Sequence, residues 1–293
     1  MKKNNNETIG IIGQGFVGGA IYHNLKSKFN ILTYDIDKSK CNSTLMNVLE
    51  NCTVIFLCLP TPMYKTGKCD ISIVENTIFK INQLVKNTGI YPGFGQCQNR
   101  PIIIIKSTIP PGTTEYLDNK YNNIDIVFSP EFLTEANNIQ DFANQNRVII
   151  GGKKANDVSY IFEKSFNDIP IIITTSKEAE MVKYFINCFL ATKVSFANEI
   201  YHICEILDID YQNIIKYVLL DKRIGNSHLL VPGPDGDRGY GGHCFPKDIA
   251  SLIFTAKKYN YVPKILEMVT IKNNQIRKNK DWLKMVGRAV SND

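Results

Sequence analysis

Seven short apolar runs, each closed by a polar or glycine-bearing turn, constrain this chain more than any other feature. They are Thr8–Ile12, Ile31–Tyr34, Val54–Leu59, Ile102–Lys106, Ile124–Ser129, Val148–Gly151 and Ile171–Thr174. Near-continuous Ile/Val runs of this length suit strands buried on both faces of a parallel sheet. Helical patterns separate them, giving repeated βαβ units and predicting an α/β, doubly wound Rossmann-type domain. After about residue 175 the texture changes. One long helical pattern runs from 178 to 207, with Met181, Val182, Phe185, Phe189, Leu190 and Val194 recurring at three- and four-residue steps. Further helices follow a glycine-rich loop at 232–242. The expected division is therefore a dinucleotide-binding domain over 1–175 and a mostly α-helical central domain over 176–293. The segment 89–99, rich in Gly, Pro and Gln, reads as a surface loop.

Composition narrows the function classes. Of 293 residues, 44% are apolar and 21% charged, a globular balance. No apolar run approaches the roughly 18 residues of a membrane span, and the start lacks the apolar stretch of a secretory signal. The net charge of +6 comes from dispersed lysines, which disfavours a nucleic-acid stripe and leaves room for an anionic substrate. Eight scattered cysteines without a C-x-x-C pattern argue against a zinc site and a disulfide framework. No metal site is expected, and a reducing, cytoplasmic compartment is.

The first chemical signature is Gly13-Gln-Gly15-Phe16-Val17-Gly18, placed between the first strand and a helix. In such a unit the first glycine permits the tight turn and the second lets the backbone approach a pyrophosphate. The third allows close helix–strand packing. Asp35 ends the second strand 22 residues after Gly13, where a carboxylate accepts the ribose 2′-hydroxyl and repels a 2′-phosphate. NAD is thus favoured over NADP, with Lys38 and Lys40 close enough to soften the preference.

The second signature is Gly241-Gly242-His243-Cys244-Phe245-Pro246-Lys247-Asp248. Pro246 suits the first turn of a helix, with Ile249, Leu252, Ile253 and Ala256 on its buried side. Cys244 is then expected just before a helix N-terminus, where the dipole favours thiolate, and the two glycines let a substrate approach. Lys183 and Asn187, four residues apart, project from one helix face. Thr108 and Glu131 close successive strands, at the sheet end that borders the ligand crevice of open α/β folds.

Together these residues resemble the UDP-glucose/GDP-mannose dehydrogenase family. The matching stretches are GQGFVGG, FLCLPTP, KSTIPPGTT, SPEFLTEANNIQDF, RVIIGG, MVKYFINCFLATKVSFANEI, DKRIG and GYGGHCFPKD, in the family's order over residues 9 to about 276. The resemblance implies an NAD-dependent, four-electron oxidation of a nucleotide-sugar C6 alcohol to the carboxylate, UDP-glucose to UDP-glucuronate being the expected case. Cys244 would trap the intermediate aldehyde as a thiohemiacetal that is oxidised to a thioester and hydrolysed.

By motif position, Lys183 and Asn187 would stabilise the oxyanion, Asp248 and Thr108 would position or activate water, and Glu131 would act as general base. Thr61, Thr108 and Glu135 would join Gly13, Gly15, Phe16, Val17, Gly18, Asp35 and Lys40 around the cofactor. Phe132, Leu133, Leu229, Leu230, Gly233, Tyr240 and Gly241, with Glu131, Lys183 and Asn187, would line the nucleotide-sugar pocket. Arg223 would reach a substrate across a homodimer interface made by the long helix.

The sequence departs from the family in three places. Ala136 and Asn137 follow Glu135 where glycine is common. The loop before the cysteine is long and charged, and the sequence stops at Asp293, before the family's C-terminal UDP-binding domain. GDP-mannose or a UDP-N-acetylhexosamine is an alternative substrate. A two-electron β-hydroxyacid dehydrogenase, which also uses a Lys–Asn pair, is an alternative enzyme. A non-catalytic, NAD-binding dimeric module is the alternative from another class.

Overall fold

The computed structural model describes residues 7–89 and 100–292. The loop expected over 89–99 therefore lies, apart from Gly89, outside the described residues, as does Cys97. The chain divides into two compact units. The first comprises 1–61 and 71–183; the second comprises 62–70 and 184–293.

In the first unit the apolar runs become strands β1 (Thr8–Ile12), β2 (Asn30–Tyr34), β3 (Val54–Leu57), β4 (Ile102–Ile105), β5 (Asp125–Phe128), β6 (Val148–Gly151) and β7 (Ile171–Thr174). Between them lie helices α1 (Phe16–Leu25), α2 (Leu45–Asn51), α3 (Ser72–Thr88), α4 (Thr113–Lys120), α5 (Asn138–Ala143) and α6 (Ala155–Ser165). The order across the sheet is β2-β1-β3-β4-β5-β6-β7. Strands β1 to β5 are parallel neighbours, whereas β6 joins β5 antiparallel through Phe128 and Gly151, and β7 runs parallel to β6. Strand order reverses between β1 and β3, the switch point at which open α/β sheets bind ligands beyond their carboxyl ends.

Period-two alternation sorts the strand residues onto two faces. Ile9, Ile11, Phe56, Ile104 and Val127 pack with Ile21 and Leu25 of α1 and Val158, Ile161 and Phe162 of α6. Ile12, Ile55, Leu57, Ile103, Ile105 and Phe128 pack with Val48 of α2, Val74, Ile78 and Ile81 of α3 and Leu117 of α4. Both faces are covered by helices, which is why the runs read as continuously apolar.

The 31-residue helix α7 (Ser176–Ile206) starts in the first unit and continues into the second. The second unit adds α8 (Tyr211–Val218), α9 (Phe245–Lys258) and α10 (Lys264–Ile276). Two small apolar clusters hold it. Ala197, Cys204, Tyr211, Ile215, Leu229 and Val231 form one, and Cys188, Ala191, Tyr240, Ile249 and Val269 the other. The excursion 62–70 belongs here because its backbone pairs with the end of the chain. Met63 N–H donates to the Ala289 carbonyl at 2.8 Å, and Ser291 N–H donates to the Met63 carbonyl at 2.9 Å. On α7, Phe185 and Phe189 are 66% and 55% exposed and stack with ring centroids 6.2 Å apart. No helix among the described residues is long and apolar enough to cross a membrane.

Candidate active site

The glycine fingerprint separates by what surrounds each residue. Gly13 has φ +92°, and a Cβ there would stand 2.2 Å from the Cys58 carbonyl oxygen. A Cβ on Gly18 would stand 1.9 Å from the Gly13 carbonyl oxygen, so only glycine lets α1 pack so closely on the turn. Gly15 is different: its added Cβ would meet nothing within 4 Å. It lies at the N-terminus of α1 in extended backbone without a side-chain cap. That open backbone face is what a pyrophosphate needs. The first residues of α1 take separate roles, Val17 packing against the core and the Phe16 carbonyl accepting from Asn138 Nδ2 at 2.8 Å.

Asp35 follows β2, and its carboxylate is already oriented. One oxygen accepts from the Gln14 N–H at 2.6 Å and the other from the Asp37 N–H at 2.9 Å. Cys41 receives the Asp35 N–H at 3.0 Å and returns a bond to its carbonyl at 3.1 Å. Lys40 forms a surface ion pair with Asp37 at 3.4 Å. The cradle, the bare Gly15 backbone and the tethered carboxylate fit an adenosine ribose and pyrophosphate.

At the carboxyl ends of β3 and β4 the chain is cross-braced. Thr61 Oγ1 donates to the Thr108 carbonyl at 2.7 Å, and the Leu59 N–H donates to Ser107 Oγ at 2.9 Å. Thr61 and Thr108 are both buried. Beyond β5, Lys183 Nζ donates to the Glu131 carbonyl at 2.7 Å and lies 3.2 Å from Glu131 Oε1. Glu131 Oε2 is buried and has no hydrogen-bond partner. Phe132 is stacked by Arg147, whose guanidinium carbon is 4.5 Å from the ring centre, and Lys183 Nζ is 5.7 Å from the same ring. Leu133 packs on the core, while Glu135 is exposed.

Two buried groups here carry weight that sequence reading did not assign. Lys106, at the end of the isoleucine run, donates to Ser129 Oγ at 3.2 Å and the Pro130 carbonyl at 3.1 Å. Its one sequence signal is a cation closing four isoleucines. Glu180 on α7 caps α4, accepting from the N–H groups of Gly112 (2.5 Å) and Thr114 (2.8 Å) and from Thr114 Oγ1 (2.6 Å). Burial pushes its carboxyl up to about 7, against the pull of those hydrogen bonds.

In the second unit Cys244 is half-buried and occupies the N-cap position of α9, with Pro246 in the first turn. Asp248 is buried one turn on. Its carboxylate accepts from Asn187 Nδ2 at 2.5 Å and pairs with Lys247 Nζ at 2.6 Å. Burial by itself would lower the Lys247 ammonium, but Asp248, with the thiols of Cys69 and Cys244, holds it above the ordinary lysine range. Lys247 thus places a buried cation within electrostatic reach of the Cys244 sulfur. Tyr184, one residue past Lys183, shares a 2.8 Å hydrogen bond with Ser251.

The loop before Cys244 is braced from behind. Asn273 accepts from the Tyr240 N–H at 2.8 Å and donates to the Tyr240 carbonyl at 2.9 Å. Asp281 accepts from the Gly242 N–H at 3.0 Å, and Arg277 pairs with Asp235 at 2.6 Å. A Cβ on Gly241 would sit 2.4 Å from Arg277 Nη2. Such long-range pairings leave no periodic signal, and the sequence reading missed them. Tyr240 is buried edge-on to Phe245, and Leu229 lies in the apolar cluster beneath α8. Leu230 is exposed, and Gly233 N–H closes a turn onto the Asp237 carbonyl at 2.8 Å. Arg223 is exposed and doubly bonded to Asp221, at 2.5 and 2.9 Å.

Residues 40–167 match the NAD-binding domain of the UDP-glucose/GDP-mannose dehydrogenase family, and residues 177–275 match its central domain. The chain belongs to this family. Its cofactor is NAD. A UDP-glucose 6-dehydrogenase of Rickettsia bellii is 34% identical over 270 residues, spanning 89% of this chain and 57% of that enzyme. The chain covers between half and two thirds of the length of this and two further such relatives, both from Bacillus subtilis. In three dimensions a UDP-glucose dehydrogenase from Pyrobaculum islandicum superposes with a TM-score of 0.78 at 24% identity, over 94% of this chain and 70% of that one. A Mycobacterium tuberculosis 3-hydroxyisobutyrate dehydrogenase gives 0.68 at 13% identity, over 92% and 93%. At these identities the likeness is one of fold.

Proposed function

We propose that the chain oxidises the C6 alcohol of a nucleotide sugar to a carboxylate, with UDP-glucose as substrate and UDP-glucuronate as product. The observation that carries this reading is Cys244 at the head of α9 with the buried Asn187–Asp248–Lys247 network on the following turn. A two-electron alcohol oxidation has no need of a cysteine placed at a glycine-flanked helix start. The family membership and the R. bellii relative support the substrate class.

Gly13, Gly15 and Gly18, with Phe16 and Val17 on α1, would hold the NAD pyrophosphate, and Asp35 its ribose. NAD supplies a hydride acceptor for each of the two oxidations. The chain's own residues do the rest. Glu131 takes the C6 hydroxyl proton, and Lys183 and Asn187 offer N–H donors to the developing oxyanion. The Cys244 thiolate adds to the aldehyde carbon, forming a C–S bond and a thiohemiacetal. Loss of hydride from that carbon leaves a thioester. Water, held by Thr108 and Asp248, adds to the thioester carbonyl and expels the thiolate, releasing the carboxylate.

The same proposal covers the 1–175 and 176–293 division, the remaining substrate and cofactor contacts named from sequence, and a cytoplasmic location. A homodimer through α7 belongs to it too, supported by the exposed Phe185–Phe189 strip. The test is stoichiometric. Purified chain with NAD+ and UDP-glucose is expected to yield two NADH per sugar, and Cys244→Ala to abolish the acid product. One NADH per sugar would remove the thioester step. Turnover with only GDP-mannose or a UDP-N-acetylhexosamine would move the substrate, and silence across the panel with NAD binding intact would favour a non-catalytic module.

A further inference from the structure

Lys106 is a charged group that the proposed chemistry does not use, yet it is 97% removed from solvent, with 3% of its surface exposed. It stands at the carboxyl end of β4, the end of the sheet that carries Thr108 two residues on. Two of its three N–H donors have partners on the neighbouring turn: Ser129 Oγ at 3.2 Å and the Pro130 carbonyl at 3.1 Å. On its other side the ammonium lies 6.0 Å from the Phe162 ring centre. The next residue after that turn is Glu131, whose Oε1 pairs with Lys183 and whose Oε2 is buried without a hydrogen-bond partner. The charged and titratable groups facing Lys106 are Glu131, Cys58 and Lys183.

We propose that Lys106 is a positioning residue: by holding Ser129 and Pro130 it fixes the turn that aims Glu131. The proposal rests on reading Glu131 as the general base. A buried ammonium costs desolvation, which simple packing would avoid with a methionine. Consistent with that cost, burial lowers the Lys106 ammonium to about 8, outweighing the opposing pull of Glu131. A buried strand end could be sealed by any apolar side chain; a cation directed at the turn before a carboxylate serves the carboxylate.

The experiment compares the wild-type chain, Lys106→Met and Lys106→Arg in NADH production against pH with the active nucleotide sugar. With the turn released, kcat is expected to fall about tenfold in Lys106→Met across the profile. KM for the sugar is expected to change less than kcat, and Lys106→Arg is expected to restore most of the wild-type kcat. Denaturant unfolding at pH 8 to 10 supplies a readout without turnover. The folded-state Lys106 value is depressed, so wild-type stability rises with pH across this window and the Lys106→Met curve stays flat by comparison. Should Lys106→Met fail to fold, Ser129→Ala removes one of the ammonium's two acceptors and is expected to lower kcat by a smaller factor. Equal kcat in wild type and Lys106→Met overturns the proposal while leaving the nucleotide-sugar reading intact. A wild-type chain without turnover on any nucleotide sugar overturns both.

Discussion

Two glycines of one fingerprint are expected to fail in opposite ways when each receives a single methyl group. Gly15 has φ −79° and ψ −153°, a conformation alanine adopts without strain, and its new Cβ would touch no atom within 4 Å. Gly15→Ala should therefore fold normally; removing a glycine from the unfolded ensemble even adds stability, by about 0.4–1 kcal/mol. The same methyl group stands where the pyrophosphate must meet the backbone, so the Kd for NAD is expected to rise at least tenfold, about 1.4 kcal/mol. Gly18 reverses the pattern. Its Cβ would lie 1.9 Å from the Gly13 carbonyl oxygen and 3.3 Å from Ile11 Cγ2, inside the packed seam between β1 and α1. Real Cβ contacts almost never fall below 3.0 Å, so α1 must shift by about 1 Å or more, against backbone that cannot rotate away. Overpacking of this kind costs about 1–3 kcal/mol. Calorimetric titration with NAD and denaturant unfolding on both variants separate the effects. Wild-type NAD affinity in a folded Gly15→Ala, or an unshifted unfolding curve for Gly18→Ala, would refute the division of labour argued from the turn.

The other predictions concern the long helix. The folded-state Glu180 carboxyl, near 7, lies above its ordinary value of 4.5, so its contribution is fully present below about pH 4.5 and is lost as pH rises through 7. Urea unfolding at pH 5 and pH 8 should differ by about 2.5 kcal/mol from this group, and Glu180→Gln should remove that difference. Phe185→Glu with Phe189→Glu puts charge into the exposed aromatic strip; sedimentation is expected to report a dimer for the wild type and a monomer for the double variant, with the helix content unchanged.

Much of the fold was legible because it is written in local periodicity. All seven strands were expected, three with unchanged bounds, since each is a run of Ile and Val between turn residues. The start of α9 was legible from Pro246, and the start of α1 from its glycines. What sequence could not supply was direction and distance. Phe128 and Gly151 pair antiparallel through one register contact, and nothing in the Ile/Val runs of β6 and β7 marks that reversal. Periodicity grouped Phe185 and Phe189 with the apolar face of the helix, yet both project to solvent, because hydrophobicity alone does not distinguish an interior from an uncovered strip. Lys106, Lys247, Asn273 and Arg277 escaped attention for a related reason. Each looks like a routine surface polar residue until residues distant in sequence, or packing around it, put it under cover.

Because of the nine-residue excursion at 62–70, neither unit is one contiguous stretch of sequence. Its edge pairing through Met63 completes the part of the molecule that contains the terminus, so a contiguous fragment beginning at Tyr184 would leave Ala289 and Ser291 without their backbone partners. A fragment ending before Pro62 would in turn forfeit every strand from β4 onward. Any engineered split or swap of the two units must therefore carry that loop along.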